Sequence, residues 1–197
     1  SCFHVVSQTW KVKKGQKFIT TGGISTMGYW VAGIGACVGS KGRTIVITGD
    51  GSLQMNIQEL ATVKQNKLPL KLFVINNGGY LLIRHTQKTH LGGRLMGESP
   101  KTGLWCPKLD KIAAAYEIPF VSINSPVNIE RKLKVALAGD GPLICEVKSP
   151  AWQLIIPRVA SERKADGSFI SRPYEDLFPF LKHEELLKNM ISKADAK

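Results

Sequence analysis

Short β-branched apolar runs alternate with segments of helical periodicity through most of the chain. Four runs are typical of buried strands: residues 43–48, 70–75, 119–122 and 143–147. The segments between them repeat apolar residues every three or four positions, as amphipathic helices do. A strand–helix–strand order brings successive strands together in parallel and covers both faces of the sheet. We therefore predict an α/β fold, a three-layer doubly wound domain with a mostly parallel central sheet.

Local signals indicate where several further elements begin. Asn56, with Glu59 three positions later, predicts a capping box at the start of one helix. Ser125, followed by a proline, predicts the start of another. Residues 27–38 are small and apolar and predict a closely packed helix.

Residues 166–173 are predicted to form a loop. A short terminal helix is then predicted from four apolar side chains, Leu186, Leu187, Met190 and Ile191.

The chain is strongly basic. Its 27 lysines and arginines against 15 aspartates and glutamates give a formal charge of +12. Such a charge favours an anionic partner without specifying which one. Four lysines cluster near the start, at Lys11, Lys13, Lys14 and Lys17. They leave open a basic module that binds nucleic acid or a nucleotide without catalysis, although no nucleic-acid motif accompanies them and no nucleic-acid partner is favoured.

The four cysteines are widely spaced and form no CxxC pair. Cys37 and Cys145 lie within apolar stretches, where a thiol behaves as a small hydrophobic side chain. We therefore expect a reduced protein in the cytoplasm. No apolar run approaches the roughly 20 residues that a membrane span requires, so no membrane partner is expected.

Two of the predicted strands end in polar, glycine-rich loops. Residues 49–52 read Gly-Asp-Gly-Ser, and residues 76–79 read Asn-Asn-Gly-Gly. Ligands of open parallel sheets bind beyond the carboxyl ends of the strands. If the helix between these two strands is the crossover, the two loops lie side by side at one edge of the sheet. Asp50 and Asn77 offer oxygen atoms of the kind that Mg²⁺ uses when it also binds a diphosphate. The helix start that follows Gly51 favours an anion.

Either loop alone is typical of an ordinary turn. Together, at the ends of two consecutive strands, they indicate a metal and phosphate site. A nucleotide is an alternative ligand, but the chain has neither a GxGxxG sequence after a strand nor the lysine of a P-loop. We therefore favour a magnesium-bound diphosphate over a nucleotide.

The stretch GDGSLQMNIQELATVKQNKLPLKLFVINNGGY, residues 49–80, resembles the thiamine diphosphate motif. With TGGISTMGY at residues 21–29, it is similar to the C-terminal, diphosphate-binding domain of the acetolactate synthase, pyruvate oxidase and benzoylformate decarboxylase family. Residues 166–173 resemble a tail of acetolactate-synthase-like proteins. The resemblance implies a thiamin diphosphate-binding fold over residues 1–181, followed by a helix and tail over residues 182–197.

The resemblance implies thiamine diphosphate and Mg²⁺ as cofactors. The implied metal ligands are Asp50, Asn77 and the carbonyl oxygen of Gly79. The residues expected around the diphosphate are Gly49, Gly51, Ser52 and Tyr80. Met27 is implied to be the apolar wedge beneath the bent cofactor, and the carbonyl of Ser25 is implied to accept from the 4′-amino group of the pyrimidine.

Residues 80–87 align with the wall of the substrate channel in that family. Within them Arg84 and His85 are candidates for binding a substrate carboxylate or phosphate, with an ordinary surface role as the alternative. Residues 88–106 show no clear period. We interpret them as a mobile lid without regular structure, because long loops in compact domains are usually functional or disordered.

The resemblance also implies what the chain lacks. The family acts on small 2-oxo acids by decarboxylation, C–C ligation or both, and its activating glutamate belongs to a pyrimidine-binding domain. We therefore assign no catalytic residue to this chain. Its expected partner is a pyrimidine-binding domain of the same or another chain, within a homodimer or homotetramer. Alone, the chain is expected to be inactive.

Overall fold

The computed structural model describes residues 2–40 and 42–190 of the chain. The α-helices within them are α1 (Cys2–Thr9), α2 (Ala32–Ser40), α3 (Asp50–Gln54), α4 (Leu60–Gln65), α5 (Leu81–His90), α6 (Leu109–Ala115), α7 (Ile129–Leu137) and α8 (His183–Asn189). The strands are β1 (Thr44–Gly49), β2 (Leu70–Asn76), β3 (Phe120–Ile123), β4 (Leu143–Lys148), β5 (Ser161–Arg163) and β6 (Phe169–Ser171). Short 3₁₀ helices occupy Tyr29–Val31, Ile57–Glu59, Pro100–Thr102 and Pro126–Asn128. The chain forms two compact units, one ending at Gln153 and the other beginning at Leu154.

The first four strands form one fully parallel sheet in the order β1-β2-β4-β3. The register places Gly49, the last residue of β1, opposite Ile75 of β2. Asn76 ends β2 opposite Lys148 of β4. The chain passes from β2 to the far edge at β3 and then returns to β4. The carboxyl ends of β1 and β2 are thus neighbours at one edge, as the sequence predicts.

The two faces of this sheet bury separate apolar clusters. One cluster joins Leu70, Leu72 and Val74 of β2 to side chains from α2, α4 and α6. The other joins Phe73 of β2 to Ala136 of α7 and to side chains of β3 and β4. Because successive residues of a strand point to opposite faces, the apolar run in β2 serves both layers. The predicted three-layer α/β fold is confirmed.

The two predicted helix caps have different outcomes. Oγ of Ser125 accepts a hydrogen bond from the amide of Val127 at 3.3 Å, as expected for an N-cap. Asn56 makes no side-chain cap. Its amide group donates instead to the carbonyl oxygen of Gly28 at 2.8 Å. Asn56 therefore stands at the predicted N-cap position, before the 3₁₀ helix Ile57–Glu59, but the predicted capping box is wrong because its side chain bonds to a segment distant in sequence.

The second unit contains an antiparallel hairpin in which β5 pairs with β6. Oδ1 of Asp166 accepts from the amide and the hydroxyl of Ser168 in the connecting turn, at 2.8 and 2.6 Å. The predicted loop over residues 166–173 is therefore wrong in part, since Asp-Gly between two short strands favours a hairpin. The predicted terminal helix is present as α8, with Met190 just after its end. Ile191 lies outside the described residues.

Two further predictions concern cysteines and membrane spans. Cys37, Cys106 and Cys145 carry free thiols, and the side chain of Cys2 lies outside those described. Within residues 2–40 and 42–190, no helix combines the length and the apolar character that crossing a membrane requires.

Candidate functional site

The loops after β1 and β2 are brought together by one carboxylate. Asp50 follows β1 directly and Asn77 follows β2, and both are buried, at 4% and 5% exposure. Oδ1 of Asp50 accepts from the amide of Gly51 at 2.8 Å, while Oδ2 accepts from the amide of Gly79 at 3.0 Å. The structure therefore gathers the three predicted metal-ligating residues at one edge of the sheet.

Asp50 is an acid that lies buried at the end of β1, at 4% exposure. Burial raises the pKa of its carboxyl group, and hydrogen bonds from the amides of Gly51, Gly79 and Gly78 oppose that rise only in part. In the described part of the chain, no lysine, arginine or histidine forms an ion pair with it. A buried carboxylate is costly unless a cation compensates it. The residues present therefore fit a divalent cation held between Asp50, Asn77 and the loop at Gly79.

The turn at Gly78 and Gly79 depends on glycine at its second position. Both residues have positive φ angles, 71° and 143°. A Cβ atom added to Gly79 would lie 2.0 Å from the carbonyl oxygen of Glu98. That same oxygen accepts a hydrogen bond from the amide of Tyr80 at 2.9 Å. The backbone at Glu98 thus closes one side of the predicted metal loop, and no larger residue than glycine fits there.

The start of α3 carries the residues predicted to contact a diphosphate. Gly51 is buried, and a Cβ atom there would lie 2.1 Å from the ring of Tyr80. The Tyr80 ring therefore packs directly on the Gly51 backbone. Burial, followed by the nearby Cys106 and Asp50, raises the pKa of the Tyr80 phenol. Oγ of Ser52 accepts from the amide of Gly28 at 2.9 Å, so its hydroxyl hydrogen is directed elsewhere.

The segment around Met27 is fixed by its neighbours on both sides. Ser25 has a φ of 54°, in the left-handed region, which costs a residue other than glycine roughly 1–2 kcal/mol. The backbone therefore keeps a path suited to glycine although serine stands there. Gly28 has its amide bound to Ser52 and its carbonyl bound to Asn56. Met27 is 41% exposed and is therefore not part of the apolar core.

Two asparagines contribute to the site in ways the sequence reasoning missed. Asn56 ties the segment that contains Met27 to the end of α3 through Gly28. Oδ1 of Asn76 accepts from the amide of Gly78 at 3.0 Å, and its amide group donates to Glu146 at 2.6 Å. The Asn76 bond shapes the turn after β2, and asparagine before glycine is the signal that could have identified it. Nothing local in the sequence marks the partner of Asn56.

Arg84 has neither of the roles expected for it, whereas the candidate role of His85 stays a prediction. Arg84 is 2% exposed and makes hydrogen bonds to Glu98, Gly78 and Ala151. It is therefore neither a surface residue nor directed towards a substrate. His85 is half-buried, with Nε2 3.0 Å from the carbonyl oxygen of Gln153.

The segment predicted as a lid also has regular structure. Helix α5 extends to His90, and Pro100–Thr102 forms a 3₁₀ helix that begins with a capping box at Ser99. Hydrogen bonds to the side chain of Thr102 hold the backbone at Glu98 and Ser99, each at 3.1 Å. The prediction of a stretch without regular structure is therefore wrong for residues 88–90 and 100–102.

Comparisons with known proteins find one family model and a group of relatives that share the same named activity. Residues 1–147 match the family model described as thiamine pyrophosphate enzyme, C-terminal TPP binding domain. The chain is 34% identical over 149 residues to the acetolactate synthase large subunit of Porphyra purpurea, covering 75% of this chain and 25% of that protein. It is 29% identical over 161 residues to acetolactate synthase 2, chloroplastic, of Nicotiana tabacum, covering 79% and 24%. The chain thus spans about a quarter of the length of these relatives.

Proposed function

The chain belongs to the thiamine pyrophosphate enzymes, as a C-terminal TPP-binding domain similar to that of acetolactate synthases, and from this premise we propose how it holds its cofactor. The carboxylate of Asp50, the side-chain oxygen of Asn77 and the carbonyl of Gly79 bind a Mg²⁺ ion that also binds the diphosphate. The observation that carries this proposal is the buried carboxylate of Asp50, which forms no ion pair with another described residue and accepts a hydrogen bond from the amide of Gly79. Oxygen donors of this kind are those that Mg²⁺ prefers.

The start of α3 contacts the diphosphate beside that ion. The backbone at Gly49 and Gly51 contacts the phosphate groups, and the absence of a Cβ atom at Gly51 leaves room for the ring of Tyr80. The Ser52 hydroxyl accepts from Gly28 and keeps its own hydrogen to donate to a phosphate oxygen. The ring of Tyr80, packed on Gly51, forms a wall of the same site.

The segment that precedes α2 holds the thiamine part of the cofactor. Met27 would supply an exposed apolar side chain for the rings of the cofactor to pack on. The carbonyl of Ser25, a residue with a left-handed φ, would accept from the pyrimidine amino group. When bound, thiamine diphosphate supplies carbanion stabilisation for cleaving or forming a bond at the carbonyl carbon of a 2-oxo acid.

The complete reaction requires a second domain. The relatives matched here are called acetolactate synthases, and the chain spans about a quarter of their length. We propose that a pyrimidine-binding domain, in the same or another chain of a homodimer or homotetramer, supplies the acid that activates the cofactor. The substrate is a small 2-oxo acid that undergoes decarboxylation, C–C ligation or both. The 197-residue chain by itself should show no decarboxylase activity. Measurable turnover would contradict the proposal that a second domain supplies the activating acid.

Calorimetric titration with thiamine diphosphate, with and without Mg²⁺, tests the cofactor site. Wild-type protein is expected to bind the cofactor only when the metal is present, and Asp50→Ala is expected to lose that binding. Asp110→Ala, which removes an exposed acid from α6, is the matched control and should bind as the wild type does. Binding that is independent of metal, or that survives Asp50→Ala, would refute the proposed site.

A further inference from the structure

One buried arginine connects three separate segments of the first unit. The guanidinium group of Arg84 on α5 donates through Nε to the carboxylate of Glu98 and through Nη1 to the carbonyl of Ala151. Its Nη2 donates to the carbonyl of Gly78 at 3.3 Å and to the carbonyl of Glu98 at 3.1 Å. The ring of Trp152 lies 5.6 Å from the centre of the guanidinium group. The hydrogen bonds of the Arg84 guanidinium group are thus made to other parts of the same chain, which they hold together.

The partner carboxylate of Arg84 is equally well satisfied. Glu98 is 2% exposed, and its Oε1 accepts from the hydroxyls of Ser99 and Thr102 at 2.6 and 3.1 Å. Burial alone raises the pKa of this carboxyl group, but hydrogen bonds from Ser99 and Arg84 and the Arg84 charge outweigh it and leave the pKa below its usual value. A buried ion pair whose donors and acceptors are satisfied holds its surroundings in one geometry.

That geometry includes the predicted metal loop. The carbonyl oxygen of Glu98 accepts from the amide of Tyr80 and lies 2.0 Å from the position that a Cβ atom of Gly79 would take. Arg84 binds the carbonyl of Gly78, one residue before. On the other side, the amide of Gly79 binds Asp50. The peptide groups from Gly78 to Tyr80 are thus held by the ion pair on one side and by Asp50 on the other.

We propose that Arg84, paired with Glu98, is a positioning residue for the metal site: it fixes the turn at Gly78 and Gly79 so that the Gly79 carbonyl faces the ion. This inference rests on the proposed function, because it needs Mg²⁺ at that carbonyl. Lysine cannot replace the arginine, since one ammonium group cannot reach Glu98, Ala151 and Gly78 with the planar geometry of a guanidinium group. Outer groups that orient metal ligands typically change metal affinity by roughly 10- to 100-fold when they are altered.

Lys71 provides a matched control for the loss of a buried cation. It is also 2% exposed, and it lies near the start of β2, whereas the metal loop follows the end of that strand. Its Nζ donates to the carbonyls of Ala138 and Gly141 at 2.9 and 2.8 Å. Lys71→Met therefore removes a buried charge and its hydrogen bonds without touching the turn at Gly78 and Gly79.

The test is a Mg²⁺ titration, followed by calorimetry at a fixed excess of thiamine diphosphate, with the intact protein. Arg84→Lys is expected to raise the dissociation constant for Mg²⁺ by roughly 10- to 100-fold. Lys71→Met is expected to leave that constant at the wild-type value, although urea unfolding should show both variants to be less stable. If Arg84→Lys does not fold, Glu98→Gln decides the question, with an expected increase of roughly tenfold.

The outcomes separate the inference from the proposed function. Wild-type protein without metal-dependent binding of thiamine diphosphate would overturn both. Wild-type binding that is lost in Asp50→Ala, together with an unchanged Mg²⁺ constant in the folded Arg84 or Glu98 variant, would overturn the inference alone. An equal weakening of Mg²⁺ binding in Lys71→Met would also overturn it, because general destabilisation would then explain the effect.

Discussion

The amide nitrogen of Gly79 donates a 3.0 Å hydrogen bond to Oδ2 of Asp50, which lies 29 residues earlier in the chain. The other oxygen of the same carboxylate accepts from the amide of Gly51 at 2.8 Å. A carboxylate has about four lone-pair sites, so two amide bonds orient it and still leave sites for a metal ion. The loops after β1 and β2 are therefore coupled through Asp50. Removing the charge of Asp50 should abolish metal binding by both loops.

Thermal unfolding of Asp50→Asn tests this coupling. In wild-type protein, Mg²⁺ and thiamine diphosphate at 100 times the dissociation constant should add about 2.7 kcal/mol of stability, which corresponds to a rise in Tm of roughly 5–10 °C. Asp50→Asn should show no rise, because an amide replaces the anionic ligand. Asn66→Asp, which adds a carboxylate at an exposed helix end, serves as the control for a change of charge. A normal rise in Asp50→Asn would exclude this carboxylate as a metal ligand.

Gly78 and Gly79 form a matched pair for testing how tightly the metal loop is packed. Both have positive φ, but a Cβ atom on Gly78 meets none of the described residues within 4 Å, whereas one on Gly79 lies 2.0 Å from the Glu98 carbonyl oxygen. Gly78→Ala should cost roughly 1–2 kcal/mol of unfolding free energy, from the backbone conformation alone. Gly79→Ala should cost about 3 kcal/mol or more, since the Glu98 backbone must also move.

Urea unfolding curves measure this difference, and the same two variants can be titrated with Mg²⁺ and thiamine diphosphate. Metal-dependent binding should be weaker in Gly79→Ala than in Gly78→Ala. Equal costs in the two variants would mean that the carbonyl of Glu98 does not restrict the loop.

The sequence predicts the parts of this site that are local. The strands and the polar loops that follow them could be identified because a few consecutive residues, such as those around Asp50 and Asn77, are enough to recognise each one. The parallel sheet then places the ends of neighbouring strands together. The links between distant segments could not be predicted. Arg84 and Glu98 each resemble ordinary charged residues, and only the folded chain shows that they form a buried pair. Asn56 resembles a helix cap because the competing partner, Gly28, is far away in sequence.

Asn56 and Asn66 test the attachment of the segment that contains Met27. Each side-chain amide donates a 2.8 Å hydrogen bond to a backbone carbonyl, Asn56 to Gly28 and Asn66 to Thr62. The Asn66 bond is exposed and local, whereas the Asn56 bond is partly buried and spans 28 residues. Asn56→Ala should lose about 1 kcal/mol of unfolding free energy and bind thiamine diphosphate more weakly, because the carbonyl of Gly28 loses its partner.

The matched variant Asn66→Ala should retain both properties, since water can replace an exposed hydrogen bond. Urea unfolding and calorimetry give the two values for each variant. Weakened cofactor binding in Asn66→Ala as well would show that the effect is not specific to the Gly28 attachment.

The thiols of Cys145 and Cys106 should differ in reactivity. Burial raises the pKa of Cys145 from 9.0 to about 11. A folded-state pKa above the unfolded value means that the neutral thiol stabilises the fold below about pH 9, and that this contribution is lost as the pH rises through about 11. Cys145 should therefore resist alkylation between pH 7 and pH 9 until the protein unfolds. Burial also raises the pKa of the Cys106 thiol, but Cys106 is only half-buried and should therefore react in the folded protein.

Peptide mapping after timed alkylation, with and without urea, measures both rates. Modification of Cys145 in the folded protein at pH 8 would contradict its burial between β2 and β3.

Met27 and Met96 separate cofactor contact from ordinary surface exposure. Their side chains are 41% and 61% exposed, so replacing either with alanine should change the unfolding free energy by no more than about 0.5 kcal/mol. Met27→Ala should nevertheless weaken the binding of thiamine diphosphate by about 1 kcal/mol, roughly fivefold, because the cofactor rings lose an apolar surface. Met96→Ala should bind the cofactor as the wild type does. Calorimetry at saturating Mg²⁺ measures both constants, and equal affinities would rule out Met27 as the residue beneath the cofactor.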